Sequence, residues 1–477
     1  MVGLRFYNTY SKKIEDFIPM KPGVVKLYTC GPTVYSHPHI GNFKAYVFCD
    51  LLKRFLKFKG YKVTHIMNIT DAGHLLNDAE EGEDKIEEAA RKENKNPLEI
   101  AQVYVNSFME ARDLLNIEPA DHYPRVTDHI NEMIDMIKIL IDKNYAYVVG
   151  NNVYYDVTRF KNYGKLSGNT LEDLNAGARI EINSEKKNPH DFALWKHDPR
   201  HLQQWDSPWG KGFPGWHIEC SAMSSKYLGK EFDIHTGGPD NIFPHHECEI
   251  AQSEAANDRK FVHYWLHNGY LNLDGEKMSK SKGNLYTIQE LVEKGFNRRA
   301  IRYSLLSTHY RQPSVFSFDG IKASEQVIYK IEQFVFMMKD IESQQVEGSL
   351  REKAVELKNR CIDAFDEALS DDLNISKALS VCFEFMKEVN KLENINSKEA
   401  REFLTVLTRL DEVLGVLEVG DEDIPEEIQK LAAERNQAKK AKDFTLADEL
   451  RKKLLEKNYI IEDKPGGHYR IKKRGGE

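Results

Sequence analysis

The chain has 477 residues, too many for one compact hydrophobic core, so we expect two to four domains. Its composition, 41% hydrophobic and 30% charged with a net charge of −8, is that of a globular protein and argues against one that coats nucleic acid indiscriminately. No run of about 18 apolar residues and no apolar leader is present, so the sequence predicts neither a membrane span nor a secretory signal. Six scattered cysteines do not form a disulfide framework, and we expect a reducing, cytoplasmic environment.

The N-terminal part predicts a strand, a turn, a helix and a second strand. Residues 24–31 are short, β-rich and end in glycine, which is typical of a buried strand, and 61–70 form a second one. Between them, a helix over 42–59 carries one apolar stripe, made of Phe48, Leu51, Leu52, Phe55 and Leu56. This order predicts a parallel sheet with a right-handed crossover, in which ligands bind beyond the carboxyl ends of the strands. A site is therefore expected in the turn after the first strand.

The remainder predicts a split sheet and a helical region. Strand-like segments return at 231–238 and 261–273, after a mixed stretch over 126–214, and residues 320–420 have helical periodicity throughout. The predicted fold is α/β, a Rossmann-type parallel sheet split by an insertion, followed by an α-helical bundle and a small C-terminal domain. The expected domains are a Rossmann-type domain in two halves (1–125 and 215–290), the insertion (126–214), a linker region (291–345), the bundle (346–420) and a small basic terminal domain (421–477).

The C-terminal segment is basic although the chain as a whole is acidic. Residues 430–474 contain 14 Lys and Arg against 7 Asp and Glu. A basic segment on an acidic chain indicates one localised contact with a polyanion, although a charge run taken alone is more often a solvated helix face.

The segment CGPTVYSHPHIGN (30–42) lies on the strand-to-helix turn where a site is expected. Gly41 allows a ligand to approach the backbone, His39 can donate a hydrogen bond to a phosphate, and the helix N-terminus offers unpaired N–H groups to an anion. On its own this segment is equally compatible with a histidine-rich loop.

A second segment, GEKMSKSKGN (275–284), interleaves lysines with serines between two glycines. The ammonium groups of Lys277 and Lys280 suit a departing pyrophosphate, on which negative charge builds up. A single Lys/Ser loop is more often a solvated turn. Together, however, the two segments resemble the HIGH and KMSKS motifs of class I aminoacyl-tRNA synthetases. The second matches letter for letter, and in the first Asn42 replaces the final histidine, which predicts altered phosphate contacts rather than lost activity.

Three further segments, TCGPTVY (29–35), PGWHIECSAM (214–223) and FDIHTGGPDNIFPHHECEIAQ (232–252), resemble cysteinyl-tRNA synthetases. The resemblance implies one zinc ion bound by Cys30, Cys220, His245 and Glu249, a ligand set that suits Zn²⁺. Spacing alone does not reveal this set, because each cysteine in isolation is more often a small core residue. Cys248 is a competing ligand in place of Glu249, although the resemblance favours Glu249.

The resemblance also implies the substrates and the remaining site residues. They are L-cysteine, ATP with Mg²⁺, and tRNA(Cys), acted on by a monomer, with catalytic roles for His39, Asn42, Lys277 and Lys280. It places the adenylate beside Gly31, Thr33, Gly41, Thr70, Gly238, Asp240 and Lys280, and the cysteine side chain beside Trp216 and His235. Zinc would bind the substrate as a thiolate and reject serine, so no editing domain is expected.

Two alternative functions follow from the same residues. The first is a ligase that joins cysteine to a small amine and lacks an anticodon-binding domain, which the basic C-terminal segment disfavours. The second is a non-catalytic tRNA-binding paralogue, which the intact His39, Lys277 and Lys280 disfavour.

Overall fold

The candidate site lies on a sheet of four parallel strands, in the order Val262–His267 (β10), Phe232–Gly237 (β9), Val24–Thr29 (β3) and Lys62–Met67 (β4). The computed structural model describes residues 3–72, 85–170, 185–273, 276–277, 285–417, 425–457, 459–463 and 469–473. The strands are β1 Arg5–Asn8, β2 Lys13–Asp16, β3 Val24–Thr29, β4 Lys62–Met67, β5 Ala146–Val149, β6 Asn152–Tyr155, β7 Phe192–Lys196, β8 Phe213–Pro214, β9 Phe232–Gly237, β10 Val262–His267, β11 Leu271–Leu273, β12 Glu276–Lys277, β13 Ser314–Phe316, β14 Tyr459–Asp463 and β15 Tyr469–Lys473.

The α-helices flank this sheet and form most of the C-terminal half. They are α1 Ile40–Phe58, α2 Lys85–Glu93, α3 Pro97–Leu114, α4 Ile130–Asp142, α5 Trp216–Leu228, α6 Glu247–Asn257, α7 Ile288–Glu293, α8 Arg298–Leu306, α9 Phe318–Ser343, α10 Glu352–Ser370, α11 Ile375–Val389, α12 Ser397–Leu414, α13 Glu426–Lys440 and α14 Phe444–Glu456. Within the described ranges, no helix is both long and apolar enough to cross a membrane.

The predicted α/β fold with a split parallel sheet is confirmed. Strands β3 and β4 precede the antiparallel sheet β5-β6-β7-β8, and β9 and β10 follow it, so the insertion separates the two halves of the parallel sheet. The helix predicted over 42–59 begins two residues earlier, at Ile40, because the His39 side chain caps it.

The core lies on both faces of the parallel sheet. Side chains of β3 alternate, so Val25 and Leu27 pack with α1 in one apolar cluster, while Tyr28 belongs to the other, which includes Cys220 of α5. The C-terminal domain has a small core of its own between α13, α14 and the hairpin β14-β15. The finer domain boundaries expected from the sequence stay predictions.

Candidate active site and metal centre

The segment that follows Cys30, after the end of β3, forms hydrogen bonds with the residues that follow β4. The Gly31 amide donates to Asn68 Oδ1 at 2.8 Å, and a Cβ on Gly31 would lie 1.8 Å from the Asn68 carbonyl oxygen, so only glycine fits there. Farther on, Val34 N–H donates to the Thr70 carbonyl at 3.0 Å, and Thr33 pairs with Thr70. This pairing brings the predicted adenylate residues Gly31, Thr33 and Thr70 together at one edge of the sheet.

The four predicted metal ligands also lie together. Their ligand atoms, contributed by Cys30, Cys220, His245 and Glu249, all lie within 4.8 Å of one another. Cys220 lies in α5, Glu249 is in the first turn of α6, and His245 lies just before that helix. Glu249 Oε1 is 3.0 Å from His245 Nε2 and 3.9 Å from Cys30 Sγ. Cys30 is partly buried and the other three are fully buried.

Burial and mutual charge set the protonation of this cluster. Burial raises the pKa of Cys30 and lifts that of Cys220 well above its ordinary value, and the charge on Glu249 raises both further. Although burial acts in the opposite sense, His235 and His245 lower the pKa of Glu249 to about 2. In the same way Glu249 and a hydrogen bond with Cys220 outweigh burial and raise the pKa of His245 to about 10. Two thiols, an imidazole and a carboxylate in one buried cluster form a donor set suited to tetrahedral Zn²⁺.

A second histidine, His246, lies in the same cluster and was missed by the sequence analysis. Its Nε2 is 3.2 Å from Cys30 Sγ and 3.8 Å from Glu249 Oε1, and its Nδ1 is 2.7 Å from His267 Nε2. Cys30, His235, His246 and Glu249 therefore form a second donor group within 4.8 Å. The three-residue spacing of His246 and Glu249 was the available signal, since it also places them on one helix face.

Trp216 and His235, the two residues expected around the cysteine side chain, both contact the donor cluster. The Trp216 ring stacks on His245 with centroids 4.3 Å apart. His235 is fully buried, and its Nε2 lies 3.0 Å from Glu249 Oε2. The structure thus places His235 against the carboxylate oxygen that does not contact His245.

Cys248, the competing ligand, lies in a different environment. Its sulfur is 3.5 Å from the Tyr163 hydroxyl, and the residue is fully buried in the apolar cluster beneath α6. Neither of the two donor groups found in the described part of the chain includes Cys248. The geometry therefore favours Glu249.

A buried carboxylate beside Thr70 was also missed. Thr70 Oγ1 donates to Glu219 Oε2 at 2.8 Å, and Asn68 Nδ2 donates to Thr70 Oγ1 at 3.1 Å. Glu219 is fully buried and immediately precedes Cys220, so it connects the metal-ligand helix to the end of β4. No spacing signal in the sequence connects residues 149 positions apart.

The HIGN segment caps helix α1. His39 Nδ1 accepts a hydrogen bond from the Gly41 amide at 3.1 Å, and Asn42 Oδ1 accepts one from the His39 amide at 3.1 Å. The Ile40 amide donates to the Tyr286 carbonyl at 2.8 Å, and the Asn42 amide donates to the His39 carbonyl at 2.9 Å. The expectation of unpaired N–H groups at the start of this helix is therefore wrong for residues 40–42, because the cap and the crossing segment satisfy them. A neutral His39 that accepts at Nδ1 carries its proton on Nε2.

The KMSKS segment is described only at its first residue, and the chain resumes at residue 285. Lys277 lies in β12, where its backbone pairs with Asn272 of β11, whereas Lys280 lies outside the described residues. Thr287, a few residues after the motif, pairs with His39. The chain that follows the second motif is therefore adjacent to the first motif.

Gly238 and Asp240 follow the end of β9. The Gly238 amide donates to Asn241 Oδ1 at 2.9 Å, and Asp240 Oδ1 accepts from the Tyr270 hydroxyl at 2.8 Å. Asp240 is thereby connected to the chain that leads into β11 and β12. The structure brings both residues to the same edge of the sheet as Gly31 and Thr33.

Comparisons with known proteins agree with this architecture. Residues 16–326 match the family model of the tRNA synthetases class I (C) catalytic domain, and residues 364–418 match the DALR domain. A solved structure, Mycobacterium tuberculosis methionyl-tRNA synthetase in complex with methionyl-adenylate, is similar with a TM-score of 0.57 at 15% identity, covering 83% of this chain and 90% of that chain. Fold and site thus define a class I aminoacyl-tRNA synthetase.

Relatives found by sequence share a higher identity with this chain than that solved structure does. Cysteine–tRNA ligase of Caldicellulosiruptor saccharolyticus is 44% identical over 97% of this chain and 98% of its own length. Cysteine–tRNA ligase of Clostridioides difficile is 43% identical over 96% and 98% respectively. The chain belongs to the cysteine–tRNA ligase family of class I synthetases and is an aminoacyl-tRNA ligase.

Proposed function

We propose that the protein activates L-cysteine with ATP and transfers the cysteinyl group from cysteinyl-adenylate to the 3′ end of tRNA(Cys). One observation carries the proposal. The buried donor set of two sulfurs, one imidazole and one carboxylate lies at the carboxyl end of β3, directly before the HIGN turn. A soft-donor site beside a phosphate-binding motif suits a substrate with a thiol side chain.

Cys30, Cys220, His245 and Glu249 would hold a zinc ion. When bound, zinc supplies a Lewis acid that favours the thiolate of cysteine over the hydroxyl of serine. His235 and His246 would hold two of these ligands in place. His235 contacts the second oxygen of Glu249, and His246 contacts the sulfur of Cys30. Their role would be to orient the donors.

The remaining site residues would position the two substrates. Trp216, held against His245, flanks the amino acid, while the backbone beside Gly31, Thr33, Thr70 and Gly238 accommodates the adenylate. The α-carboxylate of cysteine attacks the α-phosphorus of ATP, which carries Mg²⁺, and pyrophosphate departs. A terminal ribose hydroxyl of the tRNA then attacks the activated carbonyl, and AMP leaves. Positioning and charge stabilisation suffice, and no protein nucleophile is needed.

The phosphates would be bound by the two motifs. His39 is held by its Nδ1 contact with Gly41, which directs its Nε2 proton as the donor, and Asn42 maintains that cap. Lys277 and Lys280 would stabilise the departing pyrophosphate, together with Gly41 and Asp240 at the edge of the nucleotide pocket. The pairing of Thr287 with His39 supports a joint action of both motifs.

The C-terminal part would bind tRNA. Exposed cations on α13, on α14 and in the turn between them would bind phosphates, among them Lys439, Lys440, Lys442, Arg451 and Lys452. The match to the DALR domain and the nearly complete coverage of the relatives favour a tRNA acceptor over a small amine. The monomeric state and the cytoplasmic location stay predictions.

The test combines metal content with substrate selectivity. Purified protein should contain one zinc per chain, exchange pyrophosphate into ATP only with cysteine present, and charge tRNA(Cys). Zinc-stripped protein that is still folded by circular dichroism should lose its preference for cysteine over serine. Unchanged preference in the stripped protein would overturn the zinc part of the proposal, and exchange without cysteine dependence would overturn the activity.

A further inference from the structure

The hydroxyl of Tyr28 stands out among the buried polar groups near the donor cluster. Tyr28 is fully buried in β3, and among the described residues its hydroxyl makes no hydrogen bond of standard geometry. Burying a hydroxyl without a partner is unfavourable, and phenylalanine would fill the same space without that penalty. A buried hydroxyl at such a position is explained if an acceptor forms there in the active protein.

The surroundings of Tyr28 are the metal-ligand residues. Tyr28 precedes Cys30 by two positions in an extended segment, so both side chains lie on the same side of the sheet. Its strand partner is His235, whose ring lies edge-on to the Tyr28 ring with centroids 5.0 Å apart. Cys220 belongs to the same buried cluster, on the helix α5 that packs against β3.

The Tyr28 phenol can act only as a donor to an ionised sulfur. The ordinary pKa of a tyrosine hydroxyl is about 10, so the phenol keeps its proton at physiological pH. A neighbouring sulfur becomes a strong acceptor when it is a thiolate, because hydrogen bonds to ionised acceptors are shorter and stronger.

Cys220 is the acceptor that we assign to the Tyr28 hydroxyl. Glu249 uses Oε1 for His245 and Oε2 for His235, both at 3.0 Å. Cys30 Sγ already has His246 Nε2 at 3.2 Å. Cys220 lies in the same buried cluster as Tyr28, on the helix that packs against β3, and its thiolate would accept the hydrogen bond that the hydroxyl can donate.

We propose that Tyr28 is a positioning residue that donates a hydrogen bond to the metal-bound thiolate of Cys220 and thereby strengthens metal binding. The inference rests on the proposed function, since it requires the zinc site. Groups that hydrogen-bond to metal ligands change metal affinity by about 10- to 100-fold when removed. A single hydroxyl bonded to one of four ligands belongs at the lower end of that range.

The experiment compares Tyr28→Phe with a matched control, Tyr155→Phe. Tyr155 is also fully buried in the same cluster, but its hydroxyl donates to the Ala251 carbonyl at 2.9 Å. Zinc affinity is measured by competition with a chromophoric chelator, and cobalt-substituted protein reports the sulfur-to-metal charge-transfer band. Tyr28→Phe should bind zinc about 10-fold more weakly and shift that band. Tyr155→Phe should leave both unchanged.

Metal-free protein separates this role from a structural one. Without metal, Tyr28→Phe should unfold at the same denaturant concentration as wild type or a higher one, because it removes an unpartnered hydroxyl. Tyr155→Phe should unfold at a lower concentration, because it leaves a carbonyl without its donor.

The outcomes distinguish the inference from the proposed function. Wild type that binds no zinc contradicts the zinc site itself. Wild type that binds zinc, with equal affinity and an unchanged cobalt band in Tyr28→Phe, overturns the role of Tyr28 alone. A metal-free Tyr28→Phe protein that is clearly less stable than metal-free wild type would show a structural hydroxyl and would also overturn it.

Discussion

Two buried polar clusters in this protein are built on opposite principles. At the junction of α1, α8 and α12, Arg302 and Asp50 form an ion pair at 2.5 Å, and both are almost completely buried. Arg302 also donates to the carbonyls of Leu414, Leu115 and Asn116. Asp50 accepts two further hydrogen bonds, one from the Arg54 side chain and one from the Glu118 amide.

The donor cluster at the end of β3 is built from groups that bind metal ions. Two thiols and a carboxylate share their surroundings with histidines, and burial raises the pKa of both Cys30 and Cys220. At the junction Arg302 and Asp50 pair with each other and bond to neighbouring protein groups, and breaking such a buried pair is costly. In the donor cluster the groups are those that a metal ion matches. The difference separates a structural cluster from a binding site, although both are buried and polar.

The largest effect is expected from Cys220→Ser. Replacing one thiolate ligand should lower kcat/KM for cysteine by about 1,000-fold or more, since whole zinc sites are worth roughly 10–16 kcal/mol. ATP affinity should change little, because the donor set lies beside the amino acid. Pyrophosphate exchange at varied cysteine and ATP concentrations measures both.

The matched control is Cys382→Ser in the helical bundle, where the sulfur donates to the Ala378 carbonyl at 3.3 Å, far along the chain from the donor cluster. It should retain zinc content and cysteine activation. An equal loss of ATP and cysteine binding in Cys220→Ser would show that the metal is structural. The donor cluster would then be a structural cluster like the junction at Arg302.

Arg302→Leu should break the junction instead. It removes one of the two arginines that pair with the buried Asp50 carboxylate, together with the donor to three buried carbonyls, which costs about 3–5 kcal/mol in the free energy of unfolding. Zinc content per folded molecule should stay at the wild-type value. Denaturant unfolding measures the first and elemental analysis the second. Arg360→Leu, which removes an exposed ion pair with Glu356, should cost less than about 1 kcal/mol. Loss of zinc in folded Arg302→Leu would contradict the independence of the two clusters.

Glu87→Gln tests a third buried carboxylate, on α2. Glu87 Oε1 accepts hydrogen bonds from the Leu202 amide at 2.7 Å and the Gln203 amide at 3.0 Å, which connects α2 to the insertion. Although burial opposes it, the contact with His201 and these amides lower the pKa of Glu87. Glu87→Gln should cost about 1–2 kcal/mol at neutral pH.

The pH dependence of the unfolding free energy tests whether the charge on Glu87 causes this difference. The pKa of Glu87 is lower in the folded protein than in the unfolded chain, where it is about 4.3. The ionised carboxylate therefore stabilises the fold fully above that unfolded pKa. This stabilisation is lost as the pH falls from the unfolded pKa through the folded pKa. The difference between wild type and Glu87→Gln should therefore shrink below about pH 4. Glu88→Gln, one residue along and more exposed, is the control and should show almost no difference. A constant difference down to acid pH would exclude ionisation as the cause.

The smallest effect at neutral pH, and one of opposite sign, is expected from Lys44→Met. Lys44 is buried in α1, its Nζ donates to the Leu305 carbonyl at 2.9 Å, and burial lowers its pKa to about 8. The variant removes this buried charge but leaves the carbonyl without a donor, so a net gain of about 1 kcal/mol is expected at pH 7.

Wild-type stability should rise between about pH 8 and pH 10.4, because the unfolded lysine retains its proton over that interval and the folded one does not. Lys44→Met should lack this rise, and Lys57→Met, exposed on the same helix, should keep it. Unfolding midpoints across this range measure the effect. A rise of equal size in Lys44→Met would contradict the assignment.

The sequence by itself determined the local structure. The apolar stripe over Phe48 to Leu56 predicts α1, and the order of strand, turn, helix and strand predicts the parallel sheet, because periodicity and turn chemistry act over a few residues. The HIGN and KMSKS segments were found in the same way, and the family resemblance added the four metal ligands. The start of α1 was misplaced because a histidine cap is not a common signal.

The tertiary structure alone decided which distant residues meet. Cys30 and Cys220 come together because β3 lies beside β9 and α5 packs against both β3 and β4. The two cysteines are 190 positions apart, and that spacing does not indicate this packing. The same packing brings His246 to Cys30, Glu219 to Thr70 and the Tyr286 carbonyl to the start of α1. Contacts of this kind depend on the order of strands in the sheet and the direction of the crossovers, which many sequences share and which no local pattern records.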